Sequence, residues 1–458
     1  MLEVDRHPNI EVMSYSEVKS VSGVIGDFAV TVEHRPRYVN EIRCNGCGVC
    51  MDVCPVYAPN EFDCSLGPRK AVYKPFAQAV PNIATIDMDY CIRCKLCERV
   101  CELEAIDFNQ HLKETELHVG TIIVATGFDE YKPYGLYGYG EYENVLTQNE
   151  FERILAPNGP SSGHLRRISD DKEPKRIAII QCVGSRDRNK NLHCSGYCCM
   201  VGIKNAKLVK QHYPDAEITV CYMDIRASGK DLEEYYTRSR KHKIKYLRGN
   251  VSDVSEDPET KNLILRVEDT LANQIRTIEA DLVILSVAMV AGEGTEKIAE
   301  ILKLERSADG FIKEFHSRLN PIDTKIPGIY IAGAAQGPKA IGDTVASAKG
   351  AAAAASSPMI TRKYEMELIK ALVDEERCSG CTLCVKTCPY DAITMEEGVA
   401  KVNEVRCRGC GTCTSVCLSN AIALRYYRDE QMEAYIDALL APEETVTEKA
   451  VAEEKVGG

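Results

Sequence analysis

An α/β protein with two small cysteine-rich modules, one inserted and one near the C-terminus, is predicted by three observations. Strand-like apolar runs alternate with helical stretches over most of the 458 residues. Four runs of Cys-x2-Cys-x2-Cys-x3-Cys fall into two tandem pairs, near 38–112 and near 368–428, an internal repeat. Strand-like sequence flanks the first pair on both sides, so it reads as an insertion into a β-rich host.

The elements follow in order. Residues 28–32 read as a short strand before the first module, and 119–127 as a buried strand running into a turn after it. The tyrosine-rich stretch 131–142 reads as a packed surface loop. Residues 175–180 form a buried strand, followed by a glycine turn and a helix over 199–213. The next strand is 217–222, and this strand–helix–strand order predicts a parallel sheet. Later strands lie at 280–285 and 328–333, the second followed by an alanine-rich helix over 343–355. Beyond 442 the chain is rich in Glu, Val, Ala and Thr and reads as disordered.

Composition narrows the class. Apolar residues make up 45% and charged residues 27%, ordinary for a soluble globular chain long enough for about two to four domains. The formal net charge is -12, and each thiolate-held cubane cluster adds roughly two more negative charges. That balance excludes nucleic acid and anionic membrane surfaces as partners. No apolar run is long enough to span a bilayer, and Met1-Leu2-Glu3-Val4-Asp5 lacks the pattern of a signal peptide; the expectation is a cytoplasmic protein. Twenty-two cysteines in such a chain argue for metal ligands, since a disulfide framework belongs to short secreted domains.

A cubane cluster needs one thiolate on each iron. Two-residue gaps let a tight loop place three cysteines around one cube, while the fourth, three residues on, ligates the neighbouring cube. Cys44, Cys47, Cys50 and Cys101 are therefore expected to hold one 4Fe-4S cluster, and Cys91, Cys94, Cys97 and Cys54 a second. Cys378, Cys381, Cys384 and Cys417 form a third set, and Cys407, Cys410, Cys413 and Cys388 a fourth. Pro55 and Pro389 stand where this motif carries a proline; Glu102 and Leu418 depart from it. Structural zinc prefers two Cys-x2-Cys pairs separated by a longer loop, not four cysteines within eleven positions.

Cys182, Cys194, Cys198 and Cys199 form a looser group. Cys182 directly follows a buried strand, where a doubly wound sheet presents its ligand. Spacing leaves a fifth metal site and buried apolar cysteines both open. Cys64 reads as a spare thiol, Cys221 as a buried one, and the nine histidines show no metal-binding spacing.

Val124-Ala125-Thr126-Gly127 and Gly328-Ile329-Tyr330-Ile331-Ala332-Gly333 are strand-then-glycine turns, where backbone can approach a cofactor. Together they resemble two marks of thioredoxin-reductase-type flavoproteins. The third mark, a Gly-x-Gly-x-x-Gly turn for the FAD pyrophosphate, is absent from the chain. Gln181-Cys182-Val183-Gly184-Ser185-Arg186 stands at the strand where such enzymes bind nicotinamide, and its single glycine cannot make the phosphate-cradling turn.

On these residues the chain resembles the iron–sulfur flavoprotein subunit of heterodisulfide reductase, known from methanogens and other anaerobes, from His7-Pro8-Asn9-Ile10 to about Leu424. Further shared motifs are Asn60-Glu61-Phe62, Gly67-Pro68-Arg69-Lys70-Ala71, Gln78-Ala79-Val80-Pro81, Cys198-Cys199 and Ala335-Gln336-Gly337-Pro338-Lys339. The resemblance implies a two-dinucleotide-domain, thioredoxin-reductase-like core, N-terminally incomplete, with one inserted and one C-terminal two-cluster ferredoxin module. It also implies a fifth cluster on Cys182, Cys194, Cys198 and Cys199. FAD is expected along Ala125, Thr126, Gly127, Gly333, Ala334, Gln336, Gly337, Pro338, Lys339 and Ile341. Lys339 would lie near flavin N5, where a cation stabilises anionic reduced flavin; the alternative is a solvated loop lysine.

By the same resemblance, the expected segments are 1–37 and 113–165 of the FAD domain, 38–112 the inserted module, and 166–290 an NAD-domain-like unit with the core cysteines. The FAD domain then closes over 291–365, the second module spans 366–430, and 431–458 is a helical or disordered acidic tail. The implied activity is FAD-based electron bifurcation within a heterodisulfide reductase complex. Its partners would be subunits B and C, a hydrogenase or formate dehydrogenase input protein, and ferredoxin. The chain starts after the family's extra domain and pyrophosphate turn, so either another polypeptide supplies these or the chain is truncated. A non-catalytic electron conduit, and a bacterial relative serving another disulfide, are the competing readings.

Overall fold

The computed structural model describes residues 2–366 and 368–441. The tail expected to be disordered beyond 442 lies outside the described residues; 431–440 belongs to the helix Asp429–Leu440.

Strands β1 (Ser16–Val24) and β2 (Asp27–His34) form a hairpin, and the other edge of β2 pairs antiparallel with β3 (Lys113–Val119). The register sets His34 against Lys113, so the chain leaves this sheet and returns to it at paired positions with the first cysteine module between. The expected continuous strand over 119–127 is two strands. Val119 closes β3, the chain turns at Gly120, and β4 (Ile122–Val124) enters a different, parallel sheet. The break has a physical cause: Gly120 turns its carbonyl back to the Gly26 N–H at 2.8 Å, which ends the antiparallel ladder. Strand β5 (Phe128–Glu130) follows.

The larger unit begins with β6 (Val145–Thr147) and helix α1 (Gln148–Leu155), which starts on a capping box: Thr147 accepts from the Glu150 N–H while Glu150 accepts from the Thr147 N–H. Next come β7 (Arg176–Val183), α2 (Cys198–His212), β8 (Glu217–Tyr222) and β9 (Lys245–Arg248). An antiparallel set, β10 (Val251–Glu256), β11 (Leu263–Asp269) and β12 (Gln274–Ala280), precedes β13 (Leu282–Val287). The main sheet has the order β6-β13-β7-β8-β9, and all its pairings are parallel. Because β7 and β13 are covered on both faces, they read as near-continuous apolar runs. Ile177 and Ile179 face Phe151, Ala206 and Val209 on the helical side, whereas Ala178 and Ile180 face Leu263, Leu265 and Val267 on the other. The expected strand over 280–285 is interrupted at Asp281, where one strand ends at Ala280 and the next begins at Leu282.

Strand β14 (Met289–Ala291) pairs antiparallel with β5 and carries the chain back to the first unit. There helix α3 (Gly294–Ile301), β15 (Ile329–Ile331) and α4 (Ile341–Thr361) complete the fold; β15 pairs parallel with β4. Helix α4 is longer than the expected 343–355, consistent with its alanine content, and of its residues Ala351 and Ala355 are buried. Phe28, Val30 and Val32 pack over Val124, Ile329 and Ile331 to close this unit's core. In the 131–142 loop, Tyr139 is buried and donates to Glu150 Oε1 at 2.7 Å. No helix of the described residues is long and apolar enough to cross a membrane.

Asp281 ties the start of β7 to the β12–β13 break. Its Oδ2 accepts the Lys175 and Arg176 N–H groups at 2.8 and 2.9 Å, and Oδ1 accepts from Arg176 Nη2 at 2.7 Å. Burial pushes this carboxyl's pKa up, but the Arg176 bond and the two backbone donors outweigh it and hold the value below the ordinary one. A depressed folded value means the stabilisation is complete above the unfolded carboxylate range and is lost as pH falls through the folded value. Asp281→Asn is expected to lower unfolding free energy by about 1–3 kcal/mol near neutrality, with the gap to wild type closing in acid. Denaturant titrations at neutral and acidic pH check both parts.

Candidate iron–sulfur centres and flavin turns

Each of the four cysteine runs bends the same way. The residues just before and just after the second cysteine have positive φ throughout: Gly46 and Gly48, Arg93 and Lys95, Gly380 and Thr382, Gly409 and Gly411. Repeated left-handed positions curl the loop so that three side chains converge and backbone N–H groups turn inward, a concavity suited to an anionic group. A short helix carries each third cysteine onward, as in Val49–Asp52 and Leu96–Val100.

The convergence is crossed between runs. One hollow is lined by Cys91, Cys94 and Cys97 together with Cys54 from the preceding run. In the second module one hollow is lined by Cys407, Cys410, Cys413 and Cys388, and another by Cys378, Cys381, Cys384 and Cys417. These hollows hold about 300–320 Å³ including their open mouths. Cys44, Cys47, Cys50 and Cys101 come together as well: the Cys50 thiol is pushed up to about 11 by burial, then by Cys44, Cys47, Cys97 and Cys101. Burial and thiol neighbours raise Cys97 and Cys413 to about 11 too. These raised thiols keep their protons in the bare protein, and a polycation is what makes thiolates tolerable there. Backbone donors already point at several sulfurs: Ala105 to Cys101, Ala392 to Cys388 and Ala421 to Cys417, at 3.3–3.4 Å. Such bonds tune a cluster's potential.

The core group also converges. Cys182, at φ 63° near the end of β7, is pushed up to about 11 by burial, then by Cys199, with Cys194 adding to it, which puts the three near one another. Cys198 is pushed up to about 12 by burial, then by Cys199, Cys182 and Cys194. Arg186 lies beside Cys182 and pairs with Asp224 at 2.6 Å. Donor chemistry and convergence fit a fifth cluster. Cys64 and Cys221 stand outside every quartet. Cys64 accepts from Asn149 Nδ2 at 3.3 Å, and Cys221 is buried in β8 and pushed up to about 12 by burial alone.

The two strand-then-glycine turns are neighbours, because β4 and β15 run parallel and side by side. Ala125, Thr126 and Gly127 leave the end of one, and Gly333 and Ala334 the end of the other. Thr126 Oγ1 contacts Thr295 Oγ1 at 2.9 Å, and the Gly333 N–H donates to Ser347 Oγ at 3.1 Å. Gln336, Gly337 and Pro338 lead to Lys339, whose Nζ donates to Gln336 Oε1 at 2.9 Å; burial lowers its pKa. Ile341 opens α4 and is exposed.

Sequence reading missed one set of residues. Gln148, Gln181, Ser286 and Asn205 are buried, and their side-chain atoms Gln148 Oε1, Ser286 Oγ, and both polar atoms of Gln181 and Asn205 have no protein partner. Glu130 lies nearby, accepting from Thr147 Oγ1 at 3.3 Å. These residues are scattered over four elements and carry no motif.

Two segments match 4Fe-4S dicluster domain families, residues 43–105 and 371–424. Across 448 residues the chain is 55% identical to the iron-sulfur A-subunit of the CoB–CoM heterodisulfide reductase of Methanocaldococcus jannaschii, covering 96% of this chain and 68% of that protein. It is 50% identical over 448 residues to the A-subunit of the H(2)/formate:CoB-CoM heterodisulfide,ferredoxin reductase of Methanococcus maripaludis, covering 96% and 68%. A thioredoxin reductase of T. acidophilum aligns over 54% of this chain and 69% of its own, at 18% identity and a TM-score of 0.36.

The crossed quartets make a non-additive iron count the decisive check. Cys54→Ala and Cys91→Ala are each expected to lose about four irons, and the double variant no more than either single. Cys54→Ala with Cys44→Ala is expected to lose about eight. Anaerobic iron analysis of these variants reads this out.

Proposed function

The chain belongs to the family of heterodisulfide reductase A-subunits, oxidoreductase subunits with 4Fe-4S dicluster modules, here on an α/β core, and from that premise we propose how its own residues serve electron transfer. It carries five 4Fe-4S clusters, on the four crossed quartets and on Cys182, Cys194, Cys198 and Cys199. The observation that carries this reading is the sharing of each fourth cysteine between runs, which brings two clusters side by side in each module.

FAD sits against the turns Ala125–Thr126–Gly127 and Gly333–Ala334 and the stretch Gln336 to Ile341. When bound it supplies the exchange between two-electron and one-electron chemistry. Lys339 is held by Gln336 and brings a half-desolvated cation to that face, where it favours an anionic reduced ring. The Gly127 and Gly333 positions, both at positive φ, let backbone approach closely. Pyrophosphate recognition comes from a further polypeptide segment or partner chain. Exposed Ile123 on β4 and the exposed Ile341, Val345, Met359 and Ile360 on α4 support a second layer covering this side.

A relative named for H(2) or formate, the CoB–CoM heterodisulfide and ferredoxin supports a route between these. We propose input from a hydrogenase or formate dehydrogenase, one branch to ferredoxin and one through partner subunits to the disulfide, by flavin-based bifurcation. A non-catalytic conduit is the second reading, favoured by the missing pyrophosphate turn. Anaerobic purification with iron and flavin analysis separates the two. About twenty irons per chain, falling to about sixteen in Cys198→Ser, is the expected result for five clusters. Stoichiometric FAD that appears only when partner chains are co-expressed supports the shared flavin site, and no flavin under any condition supports the conduit.

A further inference from the structure

The row of unpartnered side chains lies at the C-terminal edge of the main sheet. Thr147 is level with Leu285, and Leu285 with Ile180; Gln148, Ser286 and Gln181 each follow one of these directly, Gln148 as the first residue of α1 and Gln181 where the β7–β13 register shifts. Gln181 and Ser286 stand two residues beyond Ile179 and Ile284, which pack on the side covered by α1 and α2. Asn205 is buried on α2, and Gly202 on the same helix is where Gln181 presses: a Cβ there would meet Gln181 Nε2 at 2.2 Å. Buried polar atoms are costly to leave unpaired, so a row of them is a place for ordered water.

The row has two ends. At one, Gln181 is bonded in sequence to Cys182 of the core quartet. At the other, Gln148 Nε2 donates to the Tyr197 hydroxyl at 2.6 Å, and Tyr197 immediately precedes Cys198. Thr147, next to Gln148, donates to Glu130, which is only partly buried and so open to proton exchange with solvent.

We propose that Glu130 takes up one proton from solvent when the core cysteine cluster gains one electron, and releases it on reoxidation, the charge being felt across Tyr197 and the hydrated row Gln148–Ser286–Gln181. The electron comes from a neighbouring iron–sulfur cluster of this chain, and the proton ends on a Glu130 carboxylate oxygen. No bond to the cluster forms or breaks. This rests on the fifth-cluster reading above. An added negative charge in a poorly solvated site raises the proton affinity of a nearby carboxyl.

Glu130 is suited to the role. Burial holds its carboxyl up at about 7, with Lys132 opposing and Glu150 adding to it. The other groups facing it are Glu152 on α1, Tyr197 at the start of α2, and Cys64 from the inserted module. Tyr139 is taken by Glu150, and across the paired strand β14, His193 bonds the Met289 carbonyl at 2.8 Å with Asp309 behind it at 3.7 Å. None of these replaces Glu130 as the partly exposed acid bonded to Thr147, the residue before Gln148.

The test is a redox titration of the holoprotein at several pH values, following the spectroscopic signal that Cys198→Ser removes. Wild type is expected to show a midpoint falling with rising pH near neutrality. The limit is about 59 mV per pH unit, the one-electron equivalent of a tenfold change in proton activity. Glu130→Gln is expected to flatten the slope and to lose the carboxylic acid band that appears in reduced-minus-oxidised infrared spectra. Glu130→Asp should retain the slope, and Gln148→Leu should weaken it while leaving the iron count unchanged. A pH-independent wild-type midpoint, or an unchanged slope in Glu130→Gln, overturns the proposal. A count of about sixteen irons unaffected by Cys198→Ser overturns the fifth cluster and the relay with it, and is told apart by that count.

Discussion

Four thiols brought to one point in a buried site cannot all ionise unless a cation shares their charge. Burial first, and the neighbouring sulfurs second, raise Cys50 and Cys413 to about 11 and Cys198 to about 12. The cysteines are also much of what the modules pack with. In the C-terminal module Cys384, Cys407 and Cys413 share a core with Ala371, Ala392, Ile393, Ala400 and Ile422, mostly small side chains. A domain of this size has too little apolar surface to fold firmly alone, so cluster binding and folding are one free energy. The positive-φ loops follow from that: strain at Arg93, Lys95 and Thr382 is tolerated where cluster ligation fixes the curl.

The α/β core meets a different demand, which is to hold chemically distinct groups at sheet ends. The parallel pair β4 and β15 delivers the two glycine turns to one edge, and the main sheet delivers Cys182 and the polar row to another. A single short antiparallel pair, β5 with β14, joins these units, and Glu130 stands on it opposite Met289. The residue proposed to answer charge in one unit therefore sits on the strand that leads to the other. Its strand begins directly after Gly127, the last residue of the first glycine turn.

What the sequence made legible followed from spacing and periodicity. The crossed quartets were readable because two-residue gaps admit one loop geometry, and the parallel strands because 176–183 and 282–287 are apolar throughout. The breaks at Gly120 and Asp281 were not, since both lie inside apolar stretches and depend on partners far away in sequence, Gly26 and Arg176. The polar row was equally hidden: Gln148, Gln181, Asn205 and Ser286 come from four separate elements and share no spacing in the sequence. Cys64 looked like a spare thiol, and no quartet includes it. Its contact with Asn149 could not be read from spacing either, since it depends on how the inserted module docks.

That docking separates the two modules energetically. The first is tied to the core at both ends through paired strands, and its loop pushes Leu66 against the core of the main sheet. Asp63 meets Arg153 at 2.6 Å with both side chains largely buried, and the same guanidinium covers the Phe62 ring at 4.4 Å. Removing either partner of such a pair strands a buried charge, at a cost of about 3–5 kcal/mol. The C-terminal module instead follows α4 by one covalent link. Its Arg408 reaches over the Phe315 ring at 5.2 Å and donates to the Lys325 carbonyl at 3.5 Å, and exposed polar contacts add to these. Lys303 meets Asp391 at 2.6 Å with both half-exposed, and Arg406 donates to the Gly23 carbonyl at 2.7 Å. Exposed pairs contribute about 0–1 kcal/mol each. The first module is thus bound to the core by paired strands at both ends and a largely buried ion pair, whereas the second meets it through one covalent link, the Arg408 stack on Phe315 and exposed polar contacts.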